Sequence, residues 1–524
     1  MLFDLADAAV TIGGPFDTII VGAGAVGLSM AIQLARAGKR VAVFEAGGGS
    51  TSSASQAYFE TAHASGHDLP GLHMGRFRNL GGTTAFWGGQ LVKFDNVVFG
   101  DRPWVSSDSW PIALADIDPY YAHAYELLGM RQVLTEDEPV WKRLKVVSPP
   151  PSEDIDAFFT RWAPESNFAR LFGLEIRDSK LLHVYLNAPV RCLVGGGDCV
   201  DGVQIVMPSG HGQAVLGRRM VLANGTVEIA RLLQLPMADG AAASWSKNPW
   251  IGVGFMDHMD CIAGRIVPID SKRFSELFDN AYIEGIKYQP KLKLSEATQL
   301  EKQLLGIAAH FIFNSSVSEH LGNFKILLKG LSRGRFETRA LRNPFKALAA
   351  MGFVVPMALR YLRSRRMYNL ADRGIQLRLT SEHSPRETSR VTLLNEKDAL
   401  GMPKVDVGWY FDPKEIETVA VFAEMVRDYL GEHRLATVEI DPRLLARDPA
   451  FMGGIDDANH HMGTARMSEE ASRGVVDPSM KVHGTRNLFV AGAAVYPTSG
   501  FANPTFTAIA LGLRLADAIA NERV

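Results

Sequence analysis

Residues 17–48, DTIIVGAGAVGLSMAIQLARAGKRVAVFEAGG, constrain this chain more than any other stretch. Apolar, β-branched residues at 18–21 run into Gly22, Gly24 and Gly27, after which Leu28, Ala31, Ile32, Leu34 and Ala35 recur at helical spacing. The pattern predicts strand, glycine turn and helix. Gly22 permits the tight turn, Gly24 lets a pyrophosphate approach the backbone, and Gly27 lets the helix pack closely on the sheet with its N-terminus towards the phosphates. A second strand over 40–44 ends at Glu45, eighteen residues after Gly27, where a carboxylate suits the ribose hydroxyls. The competing reading is a merely structural βαβ unit; strand, helix and acid in one register favour dinucleotide binding. This motif does not by itself choose between NAD and FAD.

At 524 residues the chain exceeds one ordinary core, so two domains are expected. A hydrophobic content of 47% and a charged content of 21% exclude disorder, and a net charge of -2 gives no global pull towards nucleic acid. Cys192, Cys199 and Cys261 form neither a disulfide framework nor a metal-spaced cluster, so no metal is expected and a reducing compartment fits. The first sixteen residues contain no Lys or Arg, and no run reaches the roughly 18 apolar residues of a membrane span. The expectation is a cytoplasmic protein, with peripheral membrane contact left open by the basic segment described below.

Two further segments carry chemistry. Residues 76–95, RFRNLGGTTAFWGGQLVKFD, set four glycines among bulky apolar side chains, which lets backbone lie against a flat ligand; the plainer alternative is a tight internal loop. Near the C-terminus stand NHHMGTARM (459–467) and RNLFVAGAAVYPTSGFANPTFT (486–507). Removing hydride from an alcohol carbon requires that the hydroxyl proton leave as well, and a neutral, desolvated histidine takes that proton at physiological pH. A second polar side chain must hold the oxygen. Asn503 precedes Pro504 and an apolar-periodic helix through Ala520, so it reads both as an N-cap and as an amide aimed from a rigid helix start.

Together these blocks resemble the glucose-methanol-choline (GMC) family of FAD-dependent oxidoreductases, nearest to its pyranose-oxidase-like, sugar- or glycoside-oxidising members. The resemblance implies that Gly81, Gly82, Thr83, Phe86, Trp87 and Gly88 run beside the flavin ring. The residue before Trp87 is Phe86 rather than a linking histidine, which implies non-covalent FAD. The family's HxxG pattern selects His460 as the catalytic base, with His461 one position late, and pairs it with Asn503. It also implies cofactor contacts at Ala223, Gly492, Ala493, Asn503, Pro504 and Thr505, beside Gly22, Gly24, Gly27 and Glu45. His258, beside Asp257, reads as structural. No second glycine motif for NAD(P) is present.

The fold implied is α/β, α+β overall. A Rossmann-like parallel-sheet FAD domain is expected from residues 1–100, 180–260 and 455–524, and a connecting edge segment from 101–179. A mainly antiparallel substrate domain is expected over 261–454, with a helical insertion at about 315–370. Within the second part, the hairpin around RVTL (390–393) and DALG (398–401) is expected to form a half-buried antiparallel floor. In the second half of 104–130 a helix is expected, capped by Asp116 or Asp118 with Pro119 in its first turn. Residues 325–366 hold eleven Lys and Arg against Glu337 alone, flanking the uncharged run ALAAMGFVVPMAL. That composition suits either packing on protein, as a cap or oligomer arm, or an anionic membrane surface.

The activity expected is oxidation of a CH–OH donor, a ring hydroxyl of a sugar or glycoside, with oxygen, a quinone or a redox partner as electron acceptor and no nucleic acid. The alternatives are a hydrophobic or lipid-linked alcohol, or a catalytically silent flavin-binding scaffold.

Overall fold

A computed structural model describes residues 1–315, 360–362, 364–367, 369 and 371–524. Its first sheet grows from the predicted βαβ unit. Phe16–Val21 lies between Val41–Phe44 and Gly212–Leu222, all parallel, and Leu182–Leu186 and Leu2–Asp4 extend the parallel order at one edge. Leu488–Val490 pairs in parallel with the end of Gly212–Leu222. At the other edge the hairpin Val190–Gly196 and Cys199–Val206 is antiparallel. Segments far apart in sequence therefore share one sheet, because the buried strands have only each other to satisfy their backbone groups.

The helix Ala25–Arg36 packs on Pro504–Ala520, which packs in turn on Leu114–Leu127. Gly512 permits the first contact, since a Cβ there would stand 2.8 Å from Val26. One expectation is corrected in this layer. Leu114–Leu127 starts earlier than expected, with Asp116 at its third position accepting the Ala113 N–H and Pro119 lying inside the helix. The C-terminal strand ends at Val490, and Ala493–Val495 forms a 3-10 turn.

The second sheet is antiparallel throughout, in the order Ala436–Ile440, Met259–Pro268, Ile375–Ser381, Ile307–Phe313, Ile286–Leu294, Ile155–Trp162 and Gln90–Leu91. Alternation is clean in Ile286–Leu294 and Ile375–Ser381, with apolar side chains on one face and Gln289, Lys291, Gln376 and Arg378 on the other. The apolar face meets the long helix Pro413–Glu432, started by Asp412 with Glu415 in a capping box. Ile155–Trp162, expected in an edge segment, is a full member of this sheet.

The hairpin Val391–Lys397 and Pro403–Trp409 departs from expectation. It forms a separate three-stranded sheet with His63–Gly66, and its first strand lacks the alternation of a half-buried floor. The basic segment 325–366 lies mostly outside the described residues. At its described end Arg360 pairs with Asp279 at 2.7 Å, and Arg366 donates to the Glu276 carbonyl at the end of Ser271–Phe278. These two cations are spent on protein. No helix among the described residues is long and apolar enough to cross a membrane.

Gly27 is the tightest point of the opening unit, because a Cβ there would lie 2.0 Å from the Gly22 carbonyl oxygen. Gly27→Ala should destabilise the protein by about 1–3 kcal/mol, the scale of overpacking, whereas Gly49→Ala, whose Cβ meets only Leu186 at 3.8 Å, should leave thermal unfolding near the parent value.

Candidate active site

A cavity of about 510 Å³ opens where the first sheet, the second glycine-rich loop and the C-terminal block meet. Gly22, Gly24, Glu45, Gly82, Thr83, Phe86, Trp87, Gly88, Ala223, Gly492, Ala493, Pro504 and Thr505 line it, together with His460 and Asn503. Gly27 and Gly81 stand behind its wall. Gly27 serves the turn, and Gly81 donates its N–H to the Ala23 carbonyl at 2.9 Å, docking the second loop on the first. Gly22 at φ +99° and Gly492 at φ +126° adopt backbone that side chains avoid. A Cβ on Gly24 would meet no protein atom within 4 Å, so that glycine faces open space.

The wall holds polar groups without partners. Asn224 Oδ1, Arg76 Nη2 and Arg78 Nε are buried and unbonded, and all three residues line the cavity. Two helices, Ala25–Arg36 and Pro504–Ala520, begin at it and direct their positive ends inward. Glu45 is occupied by the turn itself: its carboxylate accepts from Ala23 N at 3.0 Å and Gly47 N at 2.9 Å, and burial pushes it up to about 6. The sequence motif singled out Glu45 but not Arg76, Arg78 or Asn224, which no local pattern marks.

Beyond the glycine turns lies a chain of side chains. His258 Nε2 meets the Gly500 carbonyl at 2.9 Å, and His258 Nδ1 meets His460 Nδ1 at 2.9 Å. His460 Nε2 meets Asn503 Nδ2 at 2.9 Å, and Gln90 Nε2 donates to Asn503 Oδ1 at 2.7 Å. A carbonyl only accepts, so His258 carries its proton on Nε2, and a neutral His258 then offers a bare Nδ1. His460 must donate to it from Nδ1, which leaves His460 Nε2 as a lone pair facing the Asn503 amide. Burial pulls His258 down to about 4 and holds His460 well below its ordinary value, the latter helped by His258, His461 and Lys291. Both rings are therefore neutral near pH 7.

The loop carrying His460 is fixed from several sides. Asp257 accepts the backbone N–H groups of Ala458 at 3.1 Å and His460 at 2.9 Å, and Met256 and Met462 exchange backbone hydrogen bonds. Gly463 at φ +75° packs so closely that a Cβ would lie 2.0 Å from the Gly254 carbonyl oxygen. Burial and the neighbouring Asp457 raise the Asp257 carboxyl well above its usual range. Behind His258, Glu382 accepts from Gly500 N at 2.8 Å and from Arg102 at 2.7 and 2.9 Å, anchoring the carbonyl that His258 addresses.

Two expectations change here. Asn503 occupies the N-cap position but makes no side-chain cap bond; its amide is committed to His460 and Gln90. His258, read from sequence as a structural residue at a seam, bonds directly to His460. A histidine followed by no spaced partner carries no local signal of such a contact.

Comparison with known proteins finds two family matches. The GMC oxidoreductase C-terminal family model matches residues 385–512, and the model described as FAD dependent oxidoreductase matches residues 17–165. Its C-terminal part is thus that of a GMC oxidoreductase. Among curated relatives, the fructose dehydrogenase large subunit of Gluconobacter japonicus is 29% identical over 150 residues, covering 28% of this chain and 26% of that protein. A C-glycoside 3-oxidase of Microbacterium trichothecenolyticum is 32% identical over 130 residues, covering 24% of this chain and 23% of that one. The chain thus aligns with about a quarter of the length of these relatives. A crystal structure of formate oxidase superposes with a TM-score of 0.58 at 17% identity, covering 98% of this chain and 99% of that one, which shows the shared fold.

FAD is the cofactor of this oxidoreductase, and the cavity fits it: an open glycine turn, two helix starts and unpaired donors surround the space. Gly24→Val adds bulk only to that space, so the variant should purify folded by circular dichroism yet lack the oxidised-flavin absorbance band even after incubation with FAD.

Proposed function

We propose that the protein oxidises a ring hydroxyl of a sugar or glycoside to a ketone, with His460 as base and Asn503 as the group that positions the oxygen. The observation that carries this reading is the bare Nε2 of His460 beside the Nδ2 of Asn503, both on the cavity wall. A hydroxyl entering between them donates its proton towards His460 Nε2 while its oxygen accepts from Asn503 Nδ2. The pair thus exchanges its own bond for two to the substrate. As Nε2 takes the proton, His460 becomes an imidazolium whose Nδ1–H still donates to His258 Nδ1. His258 is held against rotation by Gly500 and, through it, by Glu382 and Arg102. Gln90 keeps the Asn503 amide turned the right way. FAD, when bound, supplies the acceptor for the hydride that leaves the alcohol carbon.

The sugar or glycoside substrate is supported by the names of the relatives, one a fructose dehydrogenase and another a C-glycoside 3-oxidase. The absence of a histidine before Trp87 supports non-covalent FAD, because Phe86 offers no nitrogen for a link. Shared membership of the parallel sheet supports reading residues 1–100, 180–260 and 455–524 as the FAD domain.

The test is anaerobic mixing of the holoenzyme with free monosaccharides and glycosides, watching the flavin band. Bleaching by a sugar is expected; a flavin that only lipid alcohols bleach would refute the sugar reading, and one that no alcohol bleaches would indicate a silent scaffold. His460→Ala should abolish the bleaching with FAD retained, and Asn503→Ala should slow it by about 100-fold, the scale of one positioned catalytic contact.

The pH dependence has a definite sign. His460 works only as the neutral base, and its proton affinity is depressed well below the ordinary 6.5. The rate constant for flavin reduction should therefore stay flat as pH falls from 8 through 6.5, with its acid limb well below that value. His258→Phe leaves the His460 Nδ1–H buried without an acceptor; it should slow reduction by about 10- to 100-fold, the scale of one unpaired buried donor, with flavin content unchanged.

A further inference from the structure

The polar face of the antiparallel sheet turns towards His460, and it carries charge that the chemistry above does not use. Lys291 pairs across the sheet with Phe158, whose ring meets that of Phe501 at 5.7 Å, two residues before Asn503. In the register Leu292↔Ala309, Lys291 lies opposite His310, and His310 pairs directly with Arg378. Residues directly opposite in antiparallel strands share a face. Phe158, Lys291, His310 and Arg378 therefore form one row across four strands. At its end Arg378 holds Asp260 with two hydrogen bonds, and Asp260 lies two residues after His258 on the strand that leads from the histidine chain.

The row is unbalanced. Asp260 is neutralised by Arg378, while Lys291 and His310 have no hydrogen bond or ion pair among the described residues. Burial pulls the Lys291 ammonium down to about 8, against the opposing effect of Asp260, so it remains largely protonated at neutral pH. Burial, with Lys291 and Arg378 adding to it, holds His310 neutral. A half-buried ammonium without a counter-charge is costly. Lys291 is also close enough to His460 to depress its proton affinity. A neutral polyol would offer this row hydroxyls but would leave the excess positive charge uncompensated.

Resting on the sugar-oxidation reading, we propose that the substrate carries an anionic group, a carboxylate or a phosphate, received by Lys291 together with His310 and Arg378 while the reacting hydroxyl lies at His460 and Asn503. The anion supplies the missing counter-charge, and His310 donates one ring N–H to it. The row thereby selects acidic sugars over their neutral counterparts and orients the ring relative to the base.

The experiment compares glucose with glucuronate and with glucose 6-phosphate on the holoenzyme, by anaerobic flavin reduction and by equilibrium titration calorimetry. The acidic member of at least one pair is expected to show a kcat/KM at least 10-fold above glucose, mainly through KM, and which acid wins distinguishes carboxylate from phosphate. Lys291→Met should cost the acidic sugar at least ten times more than glucose, with Lys291→Arg restoring most of the preference and flavin content reporting that both variants fold. Equal use of acidic and neutral sugars, or an equal loss on both in Lys291→Met, overturns the proposal. If no sugar reduces the flavin, the titration separates the two readings. Tighter binding of an acid that Lys291→Met abolishes upholds the anion subsite while the oxidation reading falls, and equal or absent binding overturns the subsite.

Discussion

The candidate active site depends on one hydrogen bond, from His258 Nε2 to the carbonyl of Gly500. A backbone carbonyl has no donor form, so this contact sets the tautomer of His258, and with both rings kept neutral by burial it sets that of His460 in turn. A lone pair is thereby presented at His460 Nε2, beside the Asn503 amide. The carbonyl is itself held because the neighbouring Gly500 N–H donates to Glu382, whose charge is balanced by Arg102. Preorganisation of this kind spares the site from reorienting dipoles during reaction.

The contact also links the two halves of the fold. His258 ends the segment that enters the antiparallel sheet at Met259–Pro268, whereas Gly500 and Asn503 belong to the approach to the last helix, Pro504–Ala520, which packs on the helix of the opening glycine unit. His460 sits between them on a loop gripped by Asp257. Cofactor cavity and polar sheet face consequently meet at one place.

The opening βαβ unit was legible because glycine spacing, β-branched residues and the helical period agree over thirty residues, and each rule acts locally. The C-terminal block stood out for a different reason: its HxxG at His460 and its Asn503 resemble a family pattern. Local rules were weaker where a neighbour from elsewhere intervened. Asn503 has the sequence of a capping residue, yet Gln90, more than four hundred positions away, claims its carbonyl and turns the amide to His460. Pro119 reads as a first-turn proline, but the capping bond forms three residues upstream of Asp116. The hairpin around residues 390–409 reads as a strand pair, and nothing within it announces that its partner is His63–Gly66.

What the sequence determined by itself was the opening strand, glycine turn and helix and, by resemblance, the class of protein. The first follows from residue type and spacing along the chain. Only the tertiary structure decided which nitrogen of His460 is bare, that His258 stands behind it, and that Lys291, His310 and Arg378 form one row across the sheet. Proton position is set by the partner of the other ring nitrogen, and a cross-strand row is set by register. Both are relations between residues distant in sequence, and no local pattern encodes them.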